Sequence, residues 1–255
     1  MALRDYLVCH YKMNDAAPSA VVLDAQGFSN GTAQRNTDVL TTSGKTGTAL
    51  SFNETSDYIN TNNQFLDLLR SSFTISFWVK LDDGKPAHVT EYDFFGSASY
   101  VPYNWLEFWY YYLGGTGNIS FFYRANRGIG WGDVVDLPDG PTDWIHFVVM
   151  VEQSTAITAT SKGYMNGSSI GSAGPASCNM AEYNNPYNVW LGITNFYDTL
   201  KEGQFLGGAM DNVMFFNKAL TEEEVLYLYN SGNGIEDLPY DAAGDMGEDQ
   251  IICCM

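Results

Sequence analysis

The sequence predicts an all-β protein built as two stacked antiparallel sheets. Apolar and polar residues alternate over short segments, and Gly, Asn, Asp or Pro separates one segment from the next. Charged residues make up only 16% of the chain, so Asn, Ser, Thr, Gly and Tyr must supply much of the polar surface. This composition favours strands and turns over helices. At 255 residues, 45% of them hydrophobic, the chain is long enough for one large sandwich.

Six segments carry the strand signal, because they are short and rich in aromatic and β-branched residues. They are Ala49–Asn60, Phe73–Leu81, Trp105–Leu113, Asn118–Ala125, Trp144–Glu152 and Val189–Ile193. Within the second segment the alternation is almost strict, which places Phe73, Ile75, Phe77 and Val79 on one face. Hairpin loops are predicted at Gly114–Gly117 and at Asn166-Gly167.

The aromatic run Trp105–Tyr112 is apolar on both of its faces. Two interpretations fit this pattern. The run is either a central strand buried on both sides, or a strand whose second face meets a ligand or a partner subunit.

One short helix is predicted after Thr221. This threonine precedes Glu224 by three residues, the spacing of a capping box, and the acidic residues between them suit the positive end of a helix. An apolar face follows, made of Val225, Leu226, Leu228 and Tyr229. Gly232 is predicted to end the helix.

The charge balance restricts the partners. Acidic residues outnumber basic ones 30 to 12, giving a net charge of -18. Such a field repels nucleic acid and anionic membranes, whereas calcium, cationic surfaces and neutral glycans are compatible with it. Residues 1–15 lack an apolar stretch of signal length, so we expect a chain made in the cytoplasm without a signal peptide and without membrane insertion.

The four cysteines, Cys9, Cys178, Cys253 and Cys254, match neither a zinc pattern nor a disulfide framework. We expect them to be reduced. Residues 1–235 are predicted to form one domain, and residues 236–255 an acidic tail. The tail is expected to dock either on its own domain or on a neighbouring copy.

Seven stretches resemble, in order, the laminin-G-like, pentraxin-related family of concanavalin A-like jelly rolls. The first are Leu7–Met13, residues 24–31 (DAQGFSNG), and residues 44–52 (GKTGTALSF) with 57–59 (DYI). Then come 73–80 (FTISFWVK), 144–149 (WIHFVV), 163–167 (GYMNG) and 208–225, which closes with ALTEEEV. The resemblance covers about Leu7 to Gly234 and implies a two-sheet antiparallel jelly roll.

The same resemblance implies a structural calcium site between the first loop and the closing strand. Its ligands would be Asp24, Asn30, Asp211 and the carbonyl of Gly27, oxygen donors of the kind that calcium prefers. The alternative is that Asp24 caps a turn and that Asp211 binds buried backbone amides.

Residues 91–96 (EYDFFG) resemble the catalytic strand of laminarinase-like relatives. Alternation puts Glu91 and Asp93 on one side, and retaining glycosidases hold two carboxyl groups about 5–5.5 Å apart. The third carboxylate of that pattern is missing, because Phe95 and Gly96 stand in its place. We therefore expect no catalytic residues and no enzymatic activity.

Aromatic side chains are the candidates for glycan binding, because the C–H faces of sugars stack on such rings. The exposed candidates are Tyr103, Trp105, Trp109, Tyr111 and Trp131. The alternative for each is a place in the core or in a subunit interface.

The sequence thus predicts a non-enzymatic structural or adhesion module. The first hypothesis is a phage-type virion decoration, fibre or surface-assembly protein that binds other copies of itself or other structural proteins, with glycan recognition as an added role. It depends on a fold usually displayed outside the cell that here carries no secretion signal. The alternatives are a soluble calcium-dependent lectin and, more remotely, a glycoside hydrolase.

Overall fold

The computed structural model describes residues 2–84, 91–100, 103–113, 115–135, 137–197, 199–200 and 204–239. Within these ranges the chain forms two sheets of antiparallel strands, with a single parallel pair, stacked face to face. The strands are β1 (Leu7–Tyr11), β2 (Val21–Val22), β3 (Gly31–Ala33), β4 (Thr41–Ser43), β5 (Thr48–Asn53), β6 (Ile59–Asn60), β7 (Phe73–Leu81), β8 (Glu91–Tyr100), β9 (Tyr103–Leu113), β10 (Thr116–Ala125), β11 (Arg127–Val134), β12 (Ile145–Thr155), β13 (Thr158–Met165), β14 (Ser168–Ser177), β15 (Trp190–Leu191), β16 (Thr194–Phe196), β17 (Thr199–Leu200) and β18 (Gly207–Phe216).

Sheet A runs in the order β14-β13-β12-β7-β18-β5-β4, and β1 also pairs with β18. Sheet B runs β11-β10-β9-β8-β15-β6-β3-β2, with the short β16 beside β8 and β17 beside β16. The helices are α1 (Thr37–Leu40), α2 (Leu66–Leu69) and α3 (Glu222–Tyr229). This confirms the predicted two-sheet antiparallel jelly roll. No helix in the described part of the chain is long and apolar enough to cross a membrane.

Aromatic rings form the centre of the core between the sheets. Phe77 and Phe147 come from sheet A, and Phe94 and Phe108 from sheet B. All four are completely buried, and every pair of their ring centroids lies 5.3–5.9 Å apart. Each such pair contributes about 0.5–1.5 kcal/mol beyond simple burial, so this cluster ties the two sheets together.

Most predicted strands are confirmed, with one correction. The predicted segment Ala49–Asn60 is not one strand, because it divides into β5 in sheet A and β6 in sheet B. Asn53 makes the break: its side-chain oxygen accepts hydrogen bonds from the amides of Thr55, Ser56 and Asp57 at 2.9–3.1 Å. An Asn that binds the backbone ahead of it favours a turn over a ladder.

Both predicted hairpins are present. Asn166 and Gly167 have φ of 51° and 78° and join β13 to β14, as a two-residue turn with left-handed residues requires. The β9–β10 hairpin closes with Leu113 opposite Thr116. Gly114, part of that predicted loop, lies outside the described residues.

Helix α3 begins where the capping box predicts. The Glu224 amide donates to the Thr221 hydroxyl at 3.3 Å, and the Thr221 amide donates to the Glu224 carboxylate at 2.8 Å. Its end differs from the prediction: Asn230, with φ of 48°, is the left-handed C-cap, two residues before Gly232. Asn adopts this conformation more readily than other residues with a side chain.

The outer face of sheet A is covered by α3 and by residues 235–238. Val225, Leu228 and Leu238 are buried against Val148, Met214 and other outward residues of the sheet. The segment is also held by polar contacts, since Asn212 donates to the Ile235 carbonyl at 2.7 Å and Arg4 to the Leu238 carbonyl at 2.9 Å. The start of the predicted tail therefore packs on its own domain, and residues 240–255 lie outside the described residues.

Two of the four cysteines fall in the described part of the chain. Cys9 and Cys178 are buried and free. Burial raises the pKa of both thiols, which makes them poor nucleophiles. Cys253 and Cys254 lie outside the described residues.

Candidate functional site

Strand β9 turns one side to the core and the other to the surface. Asn104, Leu106, Phe108 and Tyr110 are buried, at 1% exposure or less. The alternate residues are half-buried or exposed: Tyr103, Trp105, Glu107, Trp109 and Tyr111. The strand therefore has one buried face and one open face, so it is not a central strand buried on both sides. Contact of the open face with a ligand or a partner subunit stays a prediction.

Neighbouring strands widen this surface. The register places Arg124 opposite Trp105, Phe122 opposite Glu107, and Ser120 opposite Trp109. On the edge strand β11 the outward positions are Gly128, Gly130 and Gly132. A Cβ at Gly128 or at Gly130 would lie 2.6 Å from the Phe122 ring, so glycine at both positions makes room for this ring beside the edge strand.

Several aromatic rings contact one another where β8 ends and β9 begins. Tyr100 stacks on Tyr197 at 5.1 Å and meets Trp105 edge-on at 5.4 Å, both measured between centroids. The Arg124 guanidinium lies 5.1 Å above the centre of the Tyr103 ring. We call the outward residues Tyr100, Tyr103, Trp105, Glu107, Trp109, Tyr111, Phe122 and Arg124 the open face.

The sequence predicted four of these residues and missed Tyr100, Glu107, Phe122 and Arg124. For Glu107, Phe122 and Arg124 the signal was present, because each occupies the outward parity of a strand whose other parity is strongly apolar. Tyr100 gave no such signal, because its neighbours at the other parity are Ser97 and Ser99. Pairing between strands, which the sequence does not give, is what brings Phe122 and Arg124 beside the tryptophans.

Trp131 requires a correction, because it lies on the opposite side of sheet B. It is only 8% exposed and packs against Phe108 and Phe121 in the core. Its ring fills the space above Gly163 and Gly171, where a Cβ would approach it to 1.9 and 2.2 Å. A ligand on the open face cannot reach it.

Acidic side chains accompany the aromatic ones. Glu91 lies opposite Tyr111, and Asp93 lies opposite Trp109. Asp93 is completely buried, and its carboxylate accepts a hydrogen bond from the Thr194 amide at 3.1 Å. Glu107 on β9 lies opposite Gly96 on β8. It therefore places a carboxylate beside the position where the laminarinase-like pattern would have its third carboxylate. The inaccessibility of Asp93 argues against a catalytic pair with Glu91.

The first loop is organised around Asp24. Its two carboxylate oxygens accept hydrogen bonds from the amides of His10, Gln26, Phe28 and Ser29 at 2.7–2.9 Å. These four bonds use about all the lone pairs that a carboxylate offers. Asn30 is also engaged, because its side-chain oxygen accepts from the Asp24 amide at 2.9 Å. Asp24 therefore ties the backbone of the first loop to β1.

Asp211 has a different environment. One of its oxygens accepts from the amides of Lys45 and Thr46 at 2.7 and 2.9 Å, and the other, Oδ1, is buried without a hydrogen bond. Burial raises the pKa of Asp211 to about 7. In the described residues no group of three His, Cys, Asp or Glu could hold a metal ion. These contacts fit the alternative, in which Asp24 caps a turn and Asp211 accepts from buried backbone amides. Calcium binding stays a prediction, which melting temperatures with CaCl₂ and with a chelator would test.

The comparisons with known proteins agree with the two-sheet fold. The family model described as the concanavalin A-like lectin/glucanases superfamily matches residues 53–226. A search of curated proteins gave no match.

Three solved structures resemble the fold at low identity. Domain 4 of AbnA, an extracellular arabinanase of Geobacillus stearothermophilus in complex with arabinotriose, is 21% identical with a TM-score of 0.58, covering 87% of this chain and 97% of that one. The receptor-binding domain of a botulinum neurotoxin C/D mosaic is 17% identical with a TM-score of 0.61, covering 89% and 51%. The NanB sialidase of Streptococcus pneumoniae is 21% identical with a TM-score of 0.54, covering 69% of this chain and 26% of the sialidase. At these identities the likeness concerns the fold alone.

Proposed function

This chain belongs to the concanavalin A-like lectin/glucanases superfamily, and on that premise we propose that it is a non-catalytic carbohydrate-binding module whose binding surface is the open face of sheet B. The observation that carries the proposal is the row of half-exposed aromatic residues on β9. Outward residues on one strand recur every 7 Å or so, which gives a ladder of flat platforms on which sugar rings can stack.

Polar groups accompany the platforms. Glu107 lies between Trp105 and Trp109 on β9, and Arg124 and Ser120 lie opposite those tryptophans on β10. Carboxylate, guanidinium and hydroxyl groups beside an apolar ring are the combination that fixes the orientation of a sugar. The net charge of -18 disfavours anionic glycans, so we propose neutral polysaccharides as ligands.

The absence of catalysis is part of the proposal. A retaining glycosidase needs two carboxyl groups about 5–5.5 Å apart that both reach the substrate. The burial of Asp93 and its hydrogen bond to Thr194 oppose such a role. The resemblance to an arabinanase domain in complex with arabinotriose supports a binding role for this architecture.

Affinity electrophoresis in gels containing neutral polysaccharides, arabinan among them, tests the proposal. We expect the wild-type chain to be retarded in at least one gel, and Trp105→Ala or Trp109→Ala to lose at least tenfold in affinity. Tyr227→Ala is the matched control, because Tyr227 is a 43% exposed aromatic residue on α3, beyond the other sheet. Equal loss in the control, or no retardation in any gel, would contradict the open face as a glycan site. Hydrolysis of a polysaccharide that disappears in Glu91→Gln would contradict the absence of catalysis.

Assembly is the second candidate function, and the open face is also what favours it. Exposed aromatic surface marks interfaces between proteins as well as ligand sites. The virion or surface-assembly role stays a prediction, since the rest of the acidic tail, residues 240–255, lies outside the described residues. Light scattering tests it: a multimer that dissociates in Trp105→Ala supports assembly through this face, and a monomer at all concentrations contradicts self-assembly.

A further inference from the structure

A cleft lies between the first loop and helix α2 and shares no lining residue with the open face. It is a cleft of about 400 Å³, and its walls include Phe28, Asn63, Gln64, Asp67, Arg70 and Asn217. We propose that this cleft is a second, independent carbohydrate site that binds one or two units of a neutral sugar. It shares no residue with the open face, so each site can fail without the other.

The platform of this site is Phe28. Its side chain is 53% exposed although its backbone is firmly held: the amides of Phe28 and Ser29 donate to the buried Asp24 carboxylate at 2.7 and 2.9 Å. The Ser29 carbonyl accepts from the Tyr11 hydroxyl at 2.7 Å. An exposed apolar ring on a rigid loop loses little conformational freedom when a ligand stacks on it, which favours affinity.

The ring is also supported from below. Phe28 contacts Phe65 at 6.1 Å between centroids, and Phe65 stacks on Phe215 at 4.5 Å with an interplanar angle of 5°. Phe65 itself is buried and has a φ of 52°, a left-handed conformation that is unusual for a bulky residue. Phe65 is thus held in a strained backbone conformation, and its buried ring supports the exposed ring of Phe28 at the rim of the cleft.

Polar side chains in the cleft are fixed by hydrogen bonds that use only part of their capacity. The Asn63 oxygen accepts from the Phe65 amide at 2.6 Å, and the Gln64 nitrogen donates to the Pro186 carbonyl at 3.0 Å. Arg70 donates to the Tyr183 carbonyl at 2.8 Å. The amide nitrogen of Asn63 and the oxygen of Gln64 remain as a donor and an acceptor, the mixture that sugar hydroxyls require.

Size and charge narrow the ligand class. A volume of about 400 Å³ lies in the range of small-molecule sites and is too small for a folded partner. Asp67 and Arg70 carry opposite charges, and the whole chain carries -18, so an anionic ligand is disfavoured. A neutral sugar presents what this cleft recognises: an apolar C–H face and a rim of hydroxyl groups.

Saturation-transfer NMR on the full chain tests the proposal with arabinose, galactose, glucose, mannose, N-acetylglucosamine and their disaccharides as probes. We expect at least one probe to bind the wild-type chain and the Trp105→Ala/Trp109→Ala variant equally. The same probe should bind at least tenfold more weakly to Phe28→Ala and to Gln64→Ala, while Phe28→Tyr retains binding. Leu23→Ala is the matched control, because Leu23 is 59% exposed beside the same loop and is not part of the cleft wall.

Three results would overturn the proposal. They are the absence of binding by every probe, binding that survives Phe28→Ala, and binding that is lost in the open-face variant alone. The last of these would leave the proposed function of the open face intact. Loss of polysaccharide retardation in Trp105→Ala together with unchanged binding of the small probes is the pattern expected when both sites exist.

Discussion

The outer faces of the two sheets differ in how far their tryptophans are exposed to solvent. On sheet A, Trp78 is 1% exposed, because Tyr229 of α3 stacks on it at 5.9 Å and His146 at 4.8 Å. On sheet B, Trp105 and Trp109 occupy equivalent outward positions and stay half-exposed. On sheet B the described chain covers Trp190, which packs with Ile193 and Phe205, and leaves the outward residues of β9 half-exposed or exposed.

This difference separates structural aromatic residues from candidate binding residues. A strand that is apolar on both faces buries one face in the core. The side chains of its second face gain the free energy of burial only if something covers them. On sheet A the cover is α3 with residues 235–238. On sheet B the proposed function assigns this role to a sugar, and the second candidate function assigns it to another protein. We therefore expect the replacement of a tryptophan on sheet A to lower stability, and the same replacement on the open face to weaken binding.

The largest expected effect comes from the two tryptophans. Trp78→Ala should lower the free energy of unfolding by about 3–5 kcal/mol, because it leaves a large cavity under α3. Trp109→Ala should change it by less than about 1 kcal/mol, as surface substitutions usually do, while weakening polysaccharide binding. Urea denaturation measures both values. A loss of several kcal/mol in Trp109→Ala would mean that the open face is structural.

The covered face also hides a titratable group, Asp211, opposite Trp78. Its pKa is raised from 3.8 to about 7, so the folded chain holds this proton more tightly than the unfolded chain does. The resulting stability is fully present below pH 4 and is lost as the pH rises through 7, a loss of at most about 4 kcal/mol. Asp211→Asn keeps an oxygen acceptor for the amides of Lys45 and Thr46 and should remove this decline.

Denaturation at intervals between pH 4 and 8, in buffer with a chelator, gives the free energy of unfolding of the variant and of the wild type. The free energy of unfolding of Asp211→Asn should increase relative to that of the wild type as the pH rises. Parallel pH profiles would show that the carboxyl titrates normally. A wild-type profile that flattens when CaCl₂ replaces the chelator would support the predicted calcium site.

A smaller effect concerns Trp131, the tryptophan of sheet B that turns inward. Gly163→Ala would bring a Cβ to 1.9 Å from its ring, and such overpacking costs about 1–3 kcal/mol. Gly132→Ala is the control on the outward side of β11, where the nearest atom is the Ser120 hydroxyl at 2.9 Å. Thermal denaturation should place Gly163→Ala well below Gly132→Ala. Equal melting temperatures would contradict the placement of Trp131 in the core.

The smallest effect concerns the cover itself. Thr221→Ala removes the capping box of α3 and should cost about 1 kcal/mol. Because α3 packs on sheet A alone, polysaccharide binding by the open face should stay unchanged. A Thr221→Ser variant, which retains the hydroxyl, is expected to match the wild type. Loss of binding in Thr221→Ala would show that the two faces are coupled.

Local patterns predicted much of the fold. The alternation in Phe73–Leu81 gave β7 with the same limits, and the Asn166-Gly167 pair and the capping box gave a turn and a helix start. Each depends on residues within a few positions of one another.

The candidate site was predicted less completely. Tyr103, Trp105, Trp109 and Tyr111 share a parity that the sequence shows, and the structure places them together on the open face. Trp131 was misplaced because two glycines, on β13 and β14, make room for it in the core. The burial of Asp93 depends on Thr194, about a hundred residues away, and is invisible to any local pattern.

By itself, the sequence determined the strand class, the hairpins, the helix start and the family resemblance, because backbone preferences and side-chain alternation act over short distances. Only the tertiary structure decided which apolar face is covered, which tryptophan is buried, and that Phe28 stands exposed beside a cleft. Those outcomes depend on strands and loops far apart in the chain, whose packing fixes burial and whose register sets the neighbours of each side chain.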